Sequence, residues 1–346
     1  MKSSVAASLV ALRRQLNLRT LCLVVGLALL GLMIWAADPA TLWSYACRMR
    51  WSLPAVVAVW GVGYALNTGS WGAIIRTNPL QEPLGYGRLY RFTVTGFALN
   101  YITPFGLLGG EPYRIVELRR YLGLERATGS VILYMMMHIC SHFIFWITSC
   151  LLVALCITGL PAGWAWGLAG IAALCVGGIW LFFRGYRSGV LGGVMRALGG
   201  WPWIGKRIRA IKPETRERIT LMDDNIRLLL SGHPRAFTSS LALEYVSRLW
   251  NCMEVYLLLR LLDLPATWWG AIVIVALSSL LANLLFFSPL QLGTREGGIL
   301  LAMQVVYPEA TLAGLMPQAV ALSLMTRVRE FIWIAIGLLF LHRSRR

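Results

Sequence analysis

Acidic side chains are scarce in this chain, which has 15 Asp and Glu against 32 Lys and Arg, and charged residues of both signs make up only 14% of its 346 positions. With 58% hydrophobic residues beside so little charge, one soluble core under a polar surface is excluded, because such a core cannot bury that much apolar side chain. The seven cysteines (Cys22, Cys47, Cys140, Cys150, Cys156, Cys175, Cys252) show no CxxC spacing and fall mostly in apolar stretches, so they read as packing residues rather than metal or redox ligands. No P-loop is present, which argues against nucleotide-driven chemistry. His138 and His142 stand four apart in MMMHICSHF without the Glu of an HExxH motif, so a polar contact between helices is expected there and no metal. No nucleophile is recognisable, and neither a catalytic residue nor a cofactor is expected.

What the chain does have is long apolar runs. Thr20–Ala36, Leu53–Ile75, Ala127–Ile157, Trp164–Phe183, Phe237–Leu262 and Leu312–Leu341 are each long enough to cross a bilayer as a helix, which takes roughly 20 residues. The first run follows a basic head and reads as an uncleaved signal anchor. The net charge of +17 would suit nucleic acid, but Lys and Arg gather between the runs, and Trp35, Trp51, Trp164, Trp166, Trp268 and Trp269 stand near their ends. That is the positive-inside rule with an aromatic belt, so the basic surfaces face anionic lipid of the inner leaflet and not nucleic acid.

Two shorter apolar stretches, Phe92–Thr103 and Trp269–Ser288, run into NYITPFGLLGGEPYR (100–114) and SPLQLGTREGG (288–298). If both crossed fully, residues 185–235 with their ten Lys and Arg would lie outside, against the charge rule. If each enters, turns and returns, the N-terminus, that loop and the terminal RSRR are all cytoplasmic. The expected fold is therefore an all-α polytopic membrane protein with about six full transmembrane helices and two re-entrant helical hairpins. Its parts are 1–52 (basic N-terminus and first span), 53–157 (repeat 1, hairpin 92–122), 158–236 (linking span and basic loop) and 237–346 (repeat 2, hairpin 269–306). In the loop, Ile208, Ile211, Ile219, Met222, Ile226 and Leu229 recur at helical spacing among basic residues, which predicts an amphipathic helix on the inner leaflet.

The two interruptions match. Glu111 follows Pro104 by seven positions, Glu296 follows Pro289 by seven, and Asn100 and Asn283 lie upstream. Because one hairpin enters from each side, the repeats are of inverted topology, a transporter plan with half-helix ends aimed at a substrate. Proline ends the first half-helix, glycine turns the chain, and the returning helix offers free N–H groups. Charges inside a membrane are costly and mark interior sites, so Arg114, Arg295 and Arg327 are candidate phosphate contacts, with Glu111 and Glu296 orienting them or meeting a cationic group. The candidate substrate-binding set is Asn100, Pro104, Gly106, Gly110, Glu111, Arg114, Pro289, Gly293, Arg295, Glu296 and Arg327. Glu244 with Arg248 (i,i+4) and Arg327 with Glu330 (i,i+3) also have the spacing of simple neutralising pairs.

The pair N-x3-P-x-G-x3-GE-x2-R (100–114) and P-x3-G-x2-E (289–296), in a basic chain of six to eight helices, resembles the flippase-like membrane domain of the lysylphosphatidylglycerol synthase family from about residue 15 onward. The resemblance implies movement of aminoacylated phosphatidylglycerol between leaflets by that domain, with synthesis belonging to a separate soluble domain. This chain stops at RSRR, so the resemblance implies a stand-alone transporter of the bacterial cytoplasmic membrane, not an enzyme. It departs from the family where Met137-His138 replaces a Glu-Arg pair, which bears on head-group specificity. The expected function is a lipid flippase that moves an anionic or zwitterionic head group through a midplane cavity between the repeats. One alternative is a scaffold recruiting a lipid- or cell-envelope glycan-synthesis enzyme through the basic loop. A third reading is an intramembrane lipid-modifying enzyme with Glu111 or Glu296 as base, and a homo-oligomer is compatible with all three.

Overall fold

The computed structural model describes residues 28, 31–102, 109–157, 162–188, 193, 220, 224, 232–284, 291 and 293–344. The named elements are helical, with no strand among the described residues, so the all-α expectation holds. They are α1 (Pro39–Met49), α2 (Leu53–Ile75), α3 (Tyr86–Ile102), α4 (Gly110–Leu122), α5 (Leu124–Cys156), α6 (Ala162–Ser188), α7 (Pro234–Leu261), α8 (Trp268–Leu284), α9 (Thr294–Val306) and α10 (Leu312–Ser344). Five of the six long runs reappear as α2, α5, α6, α7 and α10; the sixth, Thr20–Ala36, is described only at residues 28 and 31–36, and the predicted amphipathic helix lies almost wholly outside the described residues.

Local chemistry accounts for several boundaries. Asp38 starts α1 by accepting from the backbone N–H groups of Ala40 (3.4 Å) and Thr41 (3.1 Å), and Pro39 sits where no intrahelical donor is needed. α4 carries Glu111 in its first turn and Arg119 and Arg120 in its last, which suits the helix dipole, and it stops at Gly123 with φ +77°.

The two shorter stretches each fold as a helical hairpin followed by a long helix. α3, α4 and α5 have 17, 13 and 33 residues; α8, α9 and α10 have 17, 13 and 33. A 13-residue helix is about 20 Å long, too short for a hydrocarbon core of about 30 Å. Both hairpins are antiparallel. Asn100 at the end of α3 meets Gly110 at the start of α4, and Arg88 near the start of α3 meets Tyr121 near the end of α4. Likewise Gly298 of α9 faces Leu281 of α8, and Gly270 of α8 faces Val306 of α9. The turns themselves, residues 103–108 and 285–290, lie outside the described residues and include the candidates Pro104, Gly106 and Pro289.

The chain forms two compact units. The first takes residues 57–148, 162–251 and 330–346, and the second takes 1–56, 149–161 and 252–329. In the first, Trp71, Ile74, Leu89, Phe92, Leu118, Tyr121, Val131, Tyr134 and Met137 make one buried cluster, with Trp71 stacked on Tyr134 at 5.6 Å. A second cluster sets Trp333 edge-on to Tyr64 at 4.9 Å, near Val94. Between lipid-facing helices apolar burial gains little, because lipid tails are as apolar as leucine, so close packing and interhelical hydrogen bonds must hold the bundle. Such bonds are present: Ser70 with Ser240 (2.8 Å), Ser247 to the Gly63 carbonyl (3.1 Å), Trp250 to that of Val59 (2.9 Å) and Thr95 to that of Gly337 (3.2 Å). The second unit adds a two-pronged Arg48–Asp263 ion pair (2.7 and 2.8 Å).

Outward, Trp43, Trp51, Leu155, Trp166 and Leu174 are each more than 70% exposed. Leu124–Cys156 and Gly163–Arg184 are long and apolar enough to cross a membrane, and almost none of the second one's apolar window is covered by protein.

Gly337 tests the close packing. A Cβ there would sit 2.6 Å from the Ala98 Cβ and 2.9 Å from the Val94 carbonyl oxygen, whereas one at Gly167 would meet nothing within 4 Å. Gly337→Val is expected to lower stability by about 1–3 kcal/mol, read as a fall in thermal midpoint in detergent, and Gly167→Val to leave it in place.

Candidate functional site

In the first hairpin, α4 begins with Gly110 and Glu111, and α3 brings Asn100 beside them. The Asn100 side chain accepts from the Gly110 N–H (2.7 Å) and donates to Glu111 Oε1 (3.0 Å). It thereby caps the first turn of α4 from the neighbouring helix. The same Oε1 accepts from Arg114 Nη1 (3.3 Å), one turn further along α4. Arg114 also donates to the Thr93 carbonyl (3.2 Å), and its guanidinium lies over the rings of Trp71 (5.8 Å) and Tyr134 (5.5 Å). Those rings present their negative faces to the cation and add about 0.5–2 kcal/mol per contact.

Two glycines make this geometry possible. A Cβ at Gly110 would overlap the Gly96 carbonyl, and a Cβ at Gly96 would overlap the Arg114 guanidinium. Glu111 and Arg114 are both buried, at 9% and 6% exposure, yet Glu111 Oε2 and Arg114 Nε lack a hydrogen-bond partner among the described residues.

The second hairpin repeats the arrangement with different wiring. Glu296, third in α9 and fully buried, accepts at Oε1 from Ser323 Oγ (2.7 Å) and from Arg327 Nε (3.2 Å) and Nη2 (2.8 Å), both on α10. Arg327 also reaches the Gln291 carbonyl (3.2 Å), and Gly293, with φ +74°, precedes α9. Glu296 Oε2 again lacks a hydrogen-bond partner among the described residues. Arg295 points elsewhere, toward the Gln291 side chain (3.4 Å). Asn283 is exposed and, among the described residues, bonds only the Ser279 carbonyl of its own helix, unlike Asn100.

Three further buried carboxylates have partners of their own. Glu254 takes both prongs of Arg329 (3.1 and 3.1 Å) in a pair buried on both sides. Glu330 accepts from Tyr101 (3.0 Å), and Arg327 turns to Glu296. Glu244 and Arg248, spaced to neutralise each other, both reach α5: Glu244 bonds His138 Nδ1 (2.8 Å), and Arg248 bonds Ser141 Oγ (2.7 Å) and the His138 carbonyl (2.8 Å). The sequence did not single out Ser323 or Gln291, nor Trp71 and Tyr134 as seats for Arg114. A signal existed for Ser323, whose i,i+4 spacing puts it on the face of α10 that carries Arg327.

Where the second helix of each hairpin begins, a buried carboxylate thus pairs one oxygen with a guanidinium, of its own helix for Glu111 and of α10 for Glu296, and its other oxygen has no hydrogen-bond partner among the described residues. A phosphate can compete for the guanidinium, and an ammonium for the open oxygen. Against protein-family models, the sequence matches the Lysylphosphatidylglycerol synthase TM region over residues 20–337. The chain belongs to that family. No curated protein and no solved structure matches it. Membership in the lysylphosphatidylglycerol synthase TM region family, together with the apolar helices, makes the chain a membrane protein with a lipid-related role.

The two asparagines give a sharp contrast within this family member. Asn100→Ala strands the Gly110 N–H and one Glu111 bond, and is expected to cost about 1–3 kcal/mol of stability. Asn283→Ala should cost under about 0.5 kcal/mol. Thermal unfolding of the two purified variants measures the difference.

Proposed function

We propose that the chain carries the charged head group of a phospholipid or related amphipathic lipid across the bacterial cytoplasmic membrane, as a transporter and not an enzyme. The observation that supports this is the repeated hairpin, 17 and 13 residues followed by 33, with a buried Glu–Arg pair where the second helix of each begins. A buried pair of this kind is weak evidence for stability, since apolar residues of similar volume often do as well or better. Its use is then to exchange partners. A zwitterionic head group satisfies both halves when they part, its phosphate taking N–H groups of Arg114 or Arg327 and its ammonium the open oxygen of Glu111 or Glu296. An anionic head group without the ammonium uses the arginine alone. The acyl chains stay in the bilayer, so only the head group needs a polar route, which limits the desolvation cost of moving its charge.

In this proposal the hairpins are re-entrant and enter from opposite sides, as inverted repeats of one plan. The N- and C-termini are then cytoplasmic, with the basic segments on the anionic inner leaflet.

The test is leaflet-specific lipid movement in proteoliposomes of the full chain. Wild type should accelerate exchange of a charged lipid, and Glu111→Gln and Glu296→Gln, which keep shape but remove charge, should each lose about tenfold or more of that acceleration. Equal rates in wild type and both folded variants, or no acceleration of any charged lipid by wild type, would overturn the reading.

A further inference from the structure

At the far end of the first hairpin from Glu111 lies a second, chemically different feature. An open cavity of about 230 Å³ is lined by Arg88, Arg91, Phe92, Tyr113, Arg120 and Phe340. Three of its six lining residues are arginines and none is acidic. The volume falls below the range of about 300–1,000 Å³ in which drug-sized ligands are enclosed, so the space suits a head group and not a whole lipid.

Two of the arginines are held in place by one residue. Tyr121, fully buried, accepts from Arg88 Nη1 at its hydroxyl (2.7 Å) and presents its ring to the Arg120 guanidinium at 4.8 Å. Its own backbone carbonyl accepts from the Gln81 N–H (2.8 Å), which ties the preceding loop to the end of α4. Among the described residues, the only carboxylate within ion-pair range of these cations is Glu117, 4.0 Å from Arg120, at the limit of an ion pair and too far for a hydrogen bond. Arg91 is exposed and has no partner among the described residues. Phe92 stands edge-on to Tyr113 (6.4 Å), giving the cavity an apolar wall beside its cationic one.

A group of arginines without matching acid is a preorganised receptor for a compact anion. Guanidinium forks favour oxyanions that accept several parallel hydrogen bonds, and phosphate is the common example. We infer that this cavity is a phosphate-binding site, formed by Arg88, Arg91 and Arg120, that engages a phosphate-bearing head group separately from the Glu111–Arg114 pair. The aromatic wall of Phe92, Tyr113 and Phe340 then receives the carbon part of the ligand next to the phosphate. The assignment does not use the transport reading, and its test contains no transport step.

The experiment titrates the full chain in nonionic detergent with short-chain dihexanoyl phosphatidylglycerol, and separately with inorganic phosphate as ligand and as competitor. Saturable lipid binding is expected. Arg91→Gln, which removes a guanidinium with no hydrogen-bond or ion-pair partner among the described residues, should weaken it several-fold without moving the thermal midpoint. Arg88→Gln with Arg91→Gln should weaken it about tenfold or more. Arg126→Gln, an exposed arginine outside the cavity, should change it less than about twofold. Competition by inorganic phosphate would make the phosphate group the sufficient ligand, and lipid binding without such competition would make it the intact head group; either supports the site. Unchanged affinity in the double variant, or no saturable binding of either probe, would overturn it.

Discussion

An ionised side chain among apolar helices must have a partner, and much of this structure follows from that requirement. A charged residue at a helix centre in a bilayer costs about 2.5–3.5 kcal/mol even on the mildest scales. The buried carboxylates each meet the requirement: Glu111 with Asn100 and Arg114, Glu254 with Arg329, Glu296 with Ser323 and Arg327, Glu330 with Tyr101, and Glu244 with His138. These bonds fix the register of the hairpins and of the helices packed on them more tightly than apolar contact could, since lipid competes equally well for apolar surface.

The hairpins share a length plan but not a wiring plan. Glu111 finds its arginine on its own helix, so the pair travels with α4 as a unit. Glu296 finds its arginine 31 residues on, so its pair fastens α9 to α10. A displacement of the first hairpin leaves its ion pair whole; separating α9 from α10 breaks the second pair. The two halves of the repeat therefore resist motion differently despite equal helix lengths, and the second pair is the stiffer constraint.

Much of the architecture was legible in the sequence, because apolar runs and Pro/Gly interruptions are local signals. The run Leu53–Ile75 has the bounds of α2, and the expected hairpin 269–306 nearly coincides with α8 and α9. The other hairpin was expected from Phe92, but its helix begins at Tyr86. Arg88 and Arg91 break the hydrophobic signal while remaining good helix formers, so composition hid a helical start that propensity allows. The site was legible only in part. Glu111, Arg114, Glu296 and Arg327 were marked as charges in apolar surroundings, but partnership was not. His138 and Glu244 are 106 positions apart, and Arg114 lies over a tryptophan and a tyrosine on two other helices. Pairings across such separations are decided by packing, and no local spacing encodes them. The i,i+4 and i,i+3 rules pointed Glu244 and Arg327 at helical neighbours, while both formed bonds to other helices.

The contact between Gly96 and the Arg114 guanidinium has a genetic consequence. The space a side chain would fill at position 96 is already taken by position 114, so the effects of changes at the two sites are non-additive. A methyl group at 96 displaces the Arg114 guanidinium from its seat, and shortening the arginine opens space beside Trp71 that a residue larger than glycine at 96 can partly refill. Losing the cation removes the steric need for glycine at 96 but leaves Glu111 to be partnered, so descendants of this sequence that abandon Arg114 are freed from that glycine only where the carboxylate changes too.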